Sequence, residues 1–586
     1  MTVLDVVTSL SGRRWVWRRG EDRVGFAVAE RLGVSEVLGR LMVARGVGVE
    51  DGADFLEPTL RALLPDPLVL ADMGLAAERL AAAVRGGETV AVFGDYDVDG
   101  ACSGALMAGL LRELGCAVIS YVPDRLSEGY GPNGPALLGL AARGAKLVVC
   151  VDCGTAAAEA LAAVVGRADV VVLDHHKSEH VPQGIVATVN PNRVDDGSGL
   201  GSLCAAAVAF MTAIAVVRVL RKSGFFAGRP EPDLMGWLDL VALATVCDVM
   251  PLRGLNRALV TQGLKMMARR ARPGLAALLE VAGVKEAPTA FSCGFGLGPR
   301  INAAGRIDEC DLGLRLLLAG DASEARELAG RLDEVNRQRQ HVEGAMLDAA
   351  LAEGAAQAAA GMPVLFVHGA QWHPGVVGIV AGRLKEKQNR PSLVGGLNDG
   401  VIKGSGRSVT GLDLGAAVIA ARQAGILLTG GGHAMAAGFS LREERAAEFH
   451  SFLSERLAAA SDLPAAADLA VEAMLTVPAA TLTLARELSR LAPFGAGNEE
   501  PTFVLPRARV VRADRIGKDG ATIRAFVEGE GGGPRLKSVM FRAGDSALGQ
   551  AFGQPGAPLH LAGHLRAESW NGRETVSFIV TDAAVA

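Results

Sequence analysis

Short apolar segments alternate with longer amphipathic ones from residue 89 onward. Apolar runs rich in β-branched residues and bounded by turn residues are typical of buried strands. The pattern predicts a helix over residues 101–114 and four strands, at residues 89–93, 117–122, 146–151 and 169–173. Strands that alternate with helices form parallel sheets, because parallel neighbours need crossover connections. The pattern therefore predicts an α/β domain.

A long helical segment follows and leads into a second α/β unit. Residues 321–360 are rich in Ala, Glu and Arg and predict a helical connector, which its glycines could interrupt. The second unit begins at a predicted strand over residues 363–367 and ends at an amphipathic helix over residues 442–460.

Beyond residue 463 the pattern changes to short β-type runs. Five strands are predicted, at residues 508–511, 522–527, 536–541, 559–565 and 575–580. Asn571-Gly572 supplies hairpin turn chemistry before the last strand. Five short strands predict a small barrel of the OB type.

The pattern thus divides the chain into five regions. An N-terminal region precedes the first α/β domain, the connector, the smaller second α/β domain and the barrel, with predicted bounds at residues 1–85, 86–320, 321–360, 361–462 and 463–586. Four N-terminal arginines beside two tryptophans could contact phosphates, although a solvated, partly packed layer is favoured. These residues are Arg13, Arg14, Arg18 and Arg19, with Trp15 and Trp17.

The composition agrees with a folded, multidomain protein. Of 586 residues, 50% are hydrophobic and 21% are charged, which supports buried cores. The mean hydropathy of +0.28 raises the question of a membrane. The best candidate span, residues 203–217, is Ala-rich and ends at Arg218, so it is predicted to be a buried helix.

The chain start and the cysteines favour a cytoplasmic location. The first residues lack a basic n-region and an apolar h-region, and all eight cysteines lie between Cys102 and Cys310, an unusual layout for disulfides. Cys150 and Cys153 form a lone C-x-x-C, for which a zinc site or redox pair is the less favoured alternative. The net charge of −5 excludes a general basic surface, so any nucleic-acid site must be a local groove.

Acidic and histidine residues follow four of the apolar runs. They are Asp95, Asp97 and Asp99 after the first strand, Asp152 after the third, Asp174-His175-His176 after the fourth, and Asp248 after a further strand-like run over residues 240–247. Ligands of open parallel sheets bind at the carboxyl ends of the strands. Crowded carboxylates repel one another unless cations neutralise them. Oxygen ligands with imidazoles favour Mn²⁺ or Mg²⁺, and two such ions can activate water and stabilise a leaving oxygen in phosphoester hydrolysis.

Each element alone is a weak signal, since an isolated Asp-x-Asp is usually a solvated turn or a helix cap. An EF-hand is excluded, because Met107 stands where a bidentate glutamate would be required, counting from Asp95. The shared placement of four acidic elements after apolar runs is what favours a metal site.

These motifs resemble those of the DHH phosphoesterase superfamily, and within it the branch of exonucleases specific for single-stranded DNA. The acidic segment at residues 95–100, Asp152, residues 174–176 and Asp248 match four motifs in order. The resemblance implies that Asp152 bridges two cations and that His176 faces the scissile phosphate. The ligands that it implies are Asp97, Asp99, Asp152, His175 and Asp248.

One position departs from the wider superfamily, which usually has a histidine four residues before the first of its paired aspartates. Phe93 occupies that position here, and the exonuclease branch shares the departure. Asp95 could compensate as a ligand or as a neighbour of one, and it is therefore a provisional ligand.

The resemblance extends along the chain. Residues 298–306 are similar to a segment of the exonuclease branch, and Arg300 and Arg306 are suited to bidentate phosphate contact, with surface salt bridges as the alternative. Residues 372–378, 404–408 and 430–439 resemble the DHHA1 domain, where glycine amides, Arg407 and His433 could bind an anion. The expected substrate contacts are Arg300, Asn302, Arg306, Arg407, Ser408, Gly432, His433 and Trp570.

The barrel resembles the OB domain of the same branch. OB-folds bind single strands through a basic groove and stacking aromatics. The basic cluster consists of Arg507, Arg509, Arg512, Arg515, Lys518 and Arg524. Phe526, Phe541 and Phe578 are expected in the core, whereas Trp570 at a turn is a stacking candidate.

The resemblance implies a metal-dependent exonuclease that degrades single-stranded DNA from 5′ to 3′ into mononucleotides, in repair and recombination. A helicase and a single-strand-binding protein are the expected partners, and a monomer without membrane attachment is the expected state. Phosphates would be held in a groove formed by the two α/β domains.

Two other functions stay open. One is a DHH hydrolase of short oligonucleotides, cyclic dinucleotides or pyrophosphate, which the N-terminal region and the barrel disfavour. The other is a non-catalytic scaffold that binds single strands, which the full set of acidic positions disfavours.

Overall fold

The computed structural model describes residues 2–125, 127–464, 466–517, 520–544, 546–570 and 572–586, without the side chains of Ser461 and Trp570. The chain forms two compact units. One contains Ala53–Arg339 and Pro493–Glu499, and the other contains Met1–Gly52, Gln340–Ala492 and Glu500–Ala586.

The N-terminal residues contribute to both units. They form strand β1 (Trp15–Trp17) and helices α1 (Asp22–Leu32), α2 (Glu36–Ala44), α3 (Gly52–Leu56), α4 (Leu60–Leu63) and α5 (Met73–Gly86). The indole of Trp15 is fully buried and donates to Asp582 Oδ2 at 2.9 Å, while α5 belongs to the core of the first α/β domain. The start of the chain therefore folds onto its end.

The first α/β domain is built on a five-stranded parallel sheet in the order β3-β2-β4-β5-β6. Its elements are β2 (Thr89–Gly94), α6 (Val98–Glu113), β3 (Ala117–Tyr121), α7 (Gly134–Ala142), β4 (Leu147–Val151), α8 (Ala158–Ala162), β5 (Asp169–Leu173), β6 (Ala187–Val189) and α9 (Ala205–Lys222). The four predicted strands and the parallel sheet are confirmed, and β6 was missed. Strand β4 is buried on both faces, as expected for a sheet covered by helices.

Helices complete this domain. They are α10 (Leu238–Cys247), α11 (Gly254–Ala268), α12 (Pro273–Val281), a π-helical segment (Ser292–Leu297), α13 (Gly298–Ile307) and α14 (Leu312–Leu318). The strand-like interpretation of residues 240–247 is wrong, because this run is the buried helix α10. A continuous apolar run of this length suits a buried helix as well as a buried strand. The predicted buried helix at residues 203–217 is confirmed as α9.

The predicted helical connector is confirmed as one helix, α15 (Ala322–Ala359). Its glycines do not interrupt it. Gly330 and Gly344 face open space, whereas a Cβ at Gly354 would lie 2.5 Å from Leu384 Cδ1, so this glycine allows close packing.

The second α/β domain has a mixed sheet in the order β10-β11-β9-β8-β7, in which only the β7–β8 pair is parallel. Its elements are β7 (Leu365–Ala370), α16 (Val377–Gln388), β8 (Ser392–Asn398), β9 (Val401–Arg407), α17 (Leu414–Gln423), β10 (Thr429–His433), β11 (Ala436–Arg442) and α18 (Ala446–Arg456). The predicted terminal helix is confirmed within shorter bounds.

The C-terminal strands close into a barrel, as predicted, because β14 pairs with both β15 and β17. The elements are β12 (Leu469–Val471), β13 (Ala473–Met474), α19 (Leu482–Leu488), β14 (Phe503–Ile516), β15 (Thr522–Glu528), β16 (Leu536–Met540), α20 (Ala547–Phe552), β17 (Leu559–Trp570) and β18 (Arg573–Val585). Phe578 is buried as expected, but the prediction for Phe541 is wrong, since it lies in the turn after β16 and is 56% exposed. Lys518 and Asn571 lie outside the described residues.

Short 3₁₀ turns link several elements, at Pro67–Val69, Leu234–Trp237, Glu443–Arg445, Ala458–Asp462, Val477–Ala479 and Ser489–Leu491. Within the described part of the chain, no helix is both long and apolar enough to cross a membrane. All eight cysteines are described and free, and the Cys153 thiol donates to the carbonyl of Val151 at 3.4 Å.

Candidate metal centre

The four predicted acidic elements meet at the carboxyl edge of the parallel sheet. Asp95, Asp97 and Asp99 follow β2, Asp152 follows β4, residues 174–176 follow β5, and Asp248 caps the end of α10. Neighbouring parallel strands end at the same edge, so residues far apart in the sequence come together there. The end of helix α10 places Asp248, the fourth element, at this edge, where the end of a strand was expected.

The turn between β2 and α6 is fixed by its own side chains. Asp97 caps α6, accepting from Gly100 N at 3.0 Å, and Asp95 Oδ1 accepts from Tyr96 N at 2.8 Å. A Cβ at Gly100 would lie 2.4 Å from the carbonyl oxygen of Asp95, so only glycine fits this turn.

Asp99 is buried and is held by the N-terminus of α9. Its two oxygens accept from Ala205 N at 2.6 Å and Ala206 N at 2.8 Å. The partial positive charge of a helix N-terminus stabilises a carboxylate there. Sequence reasoning missed this support, because no local pattern links residue 99 to residue 205.

Backbone strain accompanies two of the acidic positions. Asp152 itself has φ of 60°, and Val249, directly after Asp248, has φ of 58°. The left-handed region is an outlier for a β-branched residue such as valine, and strain of this kind costs about 1–3 kcal/mol and clusters at functional sites. The fold therefore holds both acids in position against a local preference.

His175 lies at the centre of the cluster. Its Nε2 atom is 3.3 Å from Asp152 Oδ1, 3.5 Å from Asp248 Oδ2 and 3.7 Å from Asp99 Oδ2. In the described residues, three of these atoms are buried without a hydrogen-bond partner: His175 Nε2, Asp152 Oδ1 and Asp248 Oδ2. Buried polar atoms are nearly always paired, so three converging exceptions indicate a missing ligand.

Burial and mutual repulsion raise the pKa values of the clustered acids. Burial, followed by the charge of Asp97, raises the pKa of Asp95 to about 8, and burial with the charges of Asp99 and Asp97 raises that of Asp248 to about 8. Burial is also the main cause that raises the pKa of Asp99 and that raises the pKa of Asp152 well above its ordinary value. Neutralising cations would remove the cost of ionising all four groups.

Asp174 organises the loop that carries the histidines. It accepts from His175 N at 2.7 Å, from His176 N at 3.1 Å and from Thr155 N at 3.0 Å, and it contacts His176 Nδ1 at 2.9 Å. Burial opposes its ionisation, but the hydrogen bond and charge of the His176 side chain, with hydrogen bonds from Thr155, lower the pKa of Asp174 to about 2. Although burial again opposes charge, Asp174 raises the pKa of His176 to about 9.

Three further residues hold backbone groups of the site and were not identified from the sequence: two hold the histidine loop and one holds Asp152. Asn190 donates to the carbonyl of His176 at 2.8 Å, and Asn192 donates to that of His175 at 2.7 Å. The Tyr130 hydroxyl donates to the carbonyl of Asp152 at 3.1 Å. Because they act through backbone groups across the fold, no spacing in the sequence identifies them.

Phe93, at the position where a histidine was expected, is a core residue. It is fully buried in β2, and its ring centroid lies 5.3 Å from that of Tyr121. Neither Phe93 nor the buried C-x-x-C pair contributes to the groups of side chains that could hold a metal. Among the described residues these groups are Asp95, Asp97 and Asp152; Asp152, His175 and His176; and Asp99, His175 and Asp248.

The predicted phosphate contacts of the first domain lie on α13. Arg300 Nε donates to Asp333 Oδ1 at 2.9 Å, and its Nη1 donates to the carbonyl of Gly296 at 2.7 Å. The salt bridge considered as an alternative for Arg300 is thus present. Arg306 and Asn302 are half-buried on the same helix.

The predicted contacts of the second domain lie around β9 and β10. Arg407 Nη1 donates to Ser405 Oγ at 2.7 Å, and Ser408 is buried, with its hydroxyl donating to the carbonyl of Leu412 at 2.9 Å. Gly432 has φ of 153°, and a Cβ there would lie 2.3 Å from the carbonyl oxygen of Ala436. His433 is exposed. The Trp570 side chain lies outside the described residues.

Three domain families match the sequence of this chain. Residues 89–245 match the DHH family N-terminal domain, residues 361–459 match the DHHA1 domain, and residues 471–582 match the RecJ OB domain. The fold class predicted from the sequence is therefore confirmed.

Curated relatives are similar over most of the chain. The chain is 38% identical to the single-stranded-DNA-specific exonuclease RecJ of Dickeya dadantii over 518 residues, which cover 86% of this chain and 89% of that protein. It is 33% identical to the RecJ of Bacillus subtilis over 585 residues, which cover 98% of this chain and 71% of that protein.

Solved structures of RecJ are also similar to this chain. The crystal structure of RecJ from Thermus thermophilus in complex with Mn²⁺ matches with a TM-score of 0.79 and 30% identity, covering 97% of this chain and 79% of that one. The Mg²⁺ complex of the same protein matches with a TM-score of 0.74 and 29% identity, covering 98% of this chain and 78% of that one.

Proposed function

The chain belongs to the RecJ family of single-stranded-DNA-specific exonucleases, and we propose that it is a metal-dependent exonuclease that degrades single-stranded DNA. The observation that carries the proposal is the cluster of buried acids around His175, in which three polar atoms have no partner in the described residues. The OB barrel supports a polymeric substrate, since this fold commonly binds single strands.

The residues present fit divalent cations. The unpartnered atoms of Asp152 and Asp248 lie 3.3 Å and 3.5 Å from His175 Nε2, which is itself unpartnered among the described residues. Carboxylate oxygens with an imidazole nitrogen suit Mn²⁺ or Mg²⁺, and no thiol takes part among the described candidate groups. The related Thermus thermophilus protein was crystallised with each of these two ions.

We assign two cations to this site, held by Asp97, Asp99, Asp152, His175 and Asp248. Asp152 belongs to two of the three candidate groups, which supports a bridging role. Asp95 shares a group with Asp97 and Asp152 and stays a provisional ligand. When bound, the two cations would supply an activated water and charge stabilisation for the leaving oxygen of a phosphodiester.

His176 is suited to contact the phosphate. Its side chain is 43% exposed, against 9% for His175, and its Nδ1 atom is fixed by Asp174. A ring held by a carboxylate in this way keeps one orientation and favours the protonated form. We assign His176 the role of donating a hydrogen bond to a phosphate oxygen.

The wider substrate path includes the other predicted contacts. We propose that Arg300 and Arg306 on α13 bind the DNA backbone, with Asn302 beside them, and that Arg407 and His433 bind it from the second α/β domain. Ser408 and Gly432 would shape that anion site, because one is buried and hydrogen-bonded and the other admits no side chain. Trp570 is proposed as a base-stacking residue of the barrel.

Finer properties rest on the motif resemblance. We propose 5′-to-3′ polarity, release of mononucleotides, and a role in DNA repair and recombination. A helicase and a single-strand-binding protein as partners, a monomeric state and a cytoplasmic location are proposed with them, the last supported by free cysteines. We also propose the domain bounds 1–85, 86–320, 321–360, 361–462 and 463–586, with α5 at the end of the first region packed into the core of the second.

The test is a nuclease assay with defined substrates. Purified protein is incubated with Mn²⁺ or Mg²⁺ and with single strands labelled at either end, duplex, cyclic dinucleotide or pyrophosphate. We expect mononucleotides from single strands, loss of a 5′ label first, and no products in chelator.

Two results would contradict the proposal. Preferential cleavage of small substrates would indicate a DHH hydrolase of another specificity. Binding of single strands without hydrolysis, with either metal, would indicate a scaffold.

A further inference from the structure

Two phenylalanines form an exposed pair on the surface of the first α/β domain. Phe291 is 70% exposed and Phe295 is 71% exposed, and their rings stack with centroids 4.8 Å apart and planes 27° apart. Single exposed apolar side chains are normal on protein surfaces, whereas a contiguous exposed apolar patch usually marks a binding site. Stacking the two rings on each other leaves an outer aromatic face open to solvent.

The pair is carried by a segment that packs against Cys247, the residue before Asp248. Phe295 lies in the π-helical segment Ser292–Leu297, and Phe291 directly precedes it. On the inner side of this segment, Cys293 O lies 3.4 Å from the thiol of Cys247, the residue before Asp248. Isolated π-helical turns occur frequently at functional sites. The inner side therefore contacts the residue that precedes a proposed metal ligand, and the outer side presents the aromatic rings.

The π-helical segment continues directly into α13, and the far end of α13 lies on the acidic turn. A Cβ at Gly305 in that helix would lie 3.0 Å from the carbonyl oxygen of Tyr96. The continuous helical stretch thus extends from the neighbourhood of Asp248 to the Asp95–Asp97 turn. Arg300, between these ends, has its guanidinium held by Asp333 at 2.9 Å.

Val249 is a further exposed apolar residue, next in sequence to Asp248. It is 69% exposed and has a left-handed backbone. A strained valine that turns its side chain toward solvent gains nothing from packing.

We propose that Phe291 and Phe295 form a stacking platform for unpaired bases of single-stranded DNA beside the metal centre. Every base has a π face, so stacking tolerates any sequence, and bases inside a duplex have both faces covered. The platform would hold bases while the cationic side chains of α13 hold phosphates, as in other single-strand channels. This inference rests on the proposed function and adds a source of preference for single strands.

The test compares the double variant F291A/F295A with wild type and with F291Y/F295Y. Because both rings are exposed, we expect unchanged thermal unfolding. We expect a roughly tenfold higher KM for single-stranded oligonucleotides in F291A/F295A, from the loss of stacking, with little change in kcat. The tyrosine pair retains the π faces and should restore the KM. Phe26→Ala is the matched control, since Phe26 is 42% exposed on α1 and should leave the KM unchanged.

A binding measurement separates this inference from the proposed function. Fluorescence anisotropy of a labelled single strand in chelator reports affinity without turnover, so it is informative even if wild type proves inactive. We expect the affinity of F291A/F295A to fall roughly tenfold for a normal strand and to match wild type for a strand of abasic sites. Equal affinity of the double variant and wild type for the normal strand would overturn the platform.

Discussion

Buried carboxylates occur in two regions of this molecule and are treated in opposite ways. Near the joined chain ends, Asp582 accepts from the Trp15 indole at 2.9 Å and from the Ser9 hydroxyl at 2.7 Å, and Glu472 forms a buried ion pair with Arg45 at 2.8 Å. At the edge of the first sheet, several acids crowd around His175, and Asp152 and Asp248 each have a buried oxygen without a hydrogen-bond partner among the described residues. Paired burial is typical of structure, whereas unpaired crowding is typical of a site that receives cations.

The largest effect is expected at the unpaired region. Asp152→Ala should lower turnover of single-stranded DNA more than about 100-fold, because losing even the outer partners of metal ligands typically costs 10–100-fold. Binding to a single strand in chelator should stay measurable. Asp152→Asn is the matched control for the left-handed backbone, which asparagine tolerates, and it should be equally inactive. Near-normal turnover in both variants would contradict the bridging role.

A smaller effect, on stability alone, is expected at the paired region. Asp582→Ala leaves the Trp15 Nε1 and Ser9 Oγ donors buried without their acceptor, and each orphaned group costs about 1–3 kcal/mol. The free energy of unfolding in urea should fall accordingly, with unchanged kcat in the remaining folded protein. If Asp582→Ala lowered kcat without lowering the free energy of unfolding, the assignment of a purely structural role to the paired region would be wrong.

The smallest effect concerns pH in the absence of metal. The folded pKa of Asp95 and of Asp248, each raised to about 8, exceeds the unfolded value of about 4. The stability that protonation of these acids contributes is therefore present below about pH 4 and lost as pH rises toward about 8. Thermal unfolding in chelator should show this decline, and added Mn²⁺ should abolish it. If the thermal stability of the metal-free protein did not decline over this pH range, the raised pKa values of Asp95 and Asp248 would be contradicted.

Local patterns located the acidic elements at the ends of apolar runs because each element spans only a few consecutive residues. An apolar run followed by Asp95, Asp152 or Asp174 reveals a strand end without any knowledge of its neighbours. The same reasoning misassigned the run before Asp248, since a continuous apolar stretch fits a helix and a strand alike. It also misplaced Phe541, because a hydrophobic residue at a strand end is buried or exposed according to the turn beyond it.

By itself, the sequence determined the order of domains, the parallel sheet, the barrel and which acids could serve the metal site. Hydrophobic periodicity and turn residues are local properties, so they can be recognised from the amino-acid sequence alone. Only the tertiary structure decided that α9 holds Asp99, that Asn190 and Asn192 hold the histidine loop, and that Phe291 and Phe295 stack on each other in solvent. These arrangements depend on contacts made through space, and the spacing of residues along a chain does not specify them.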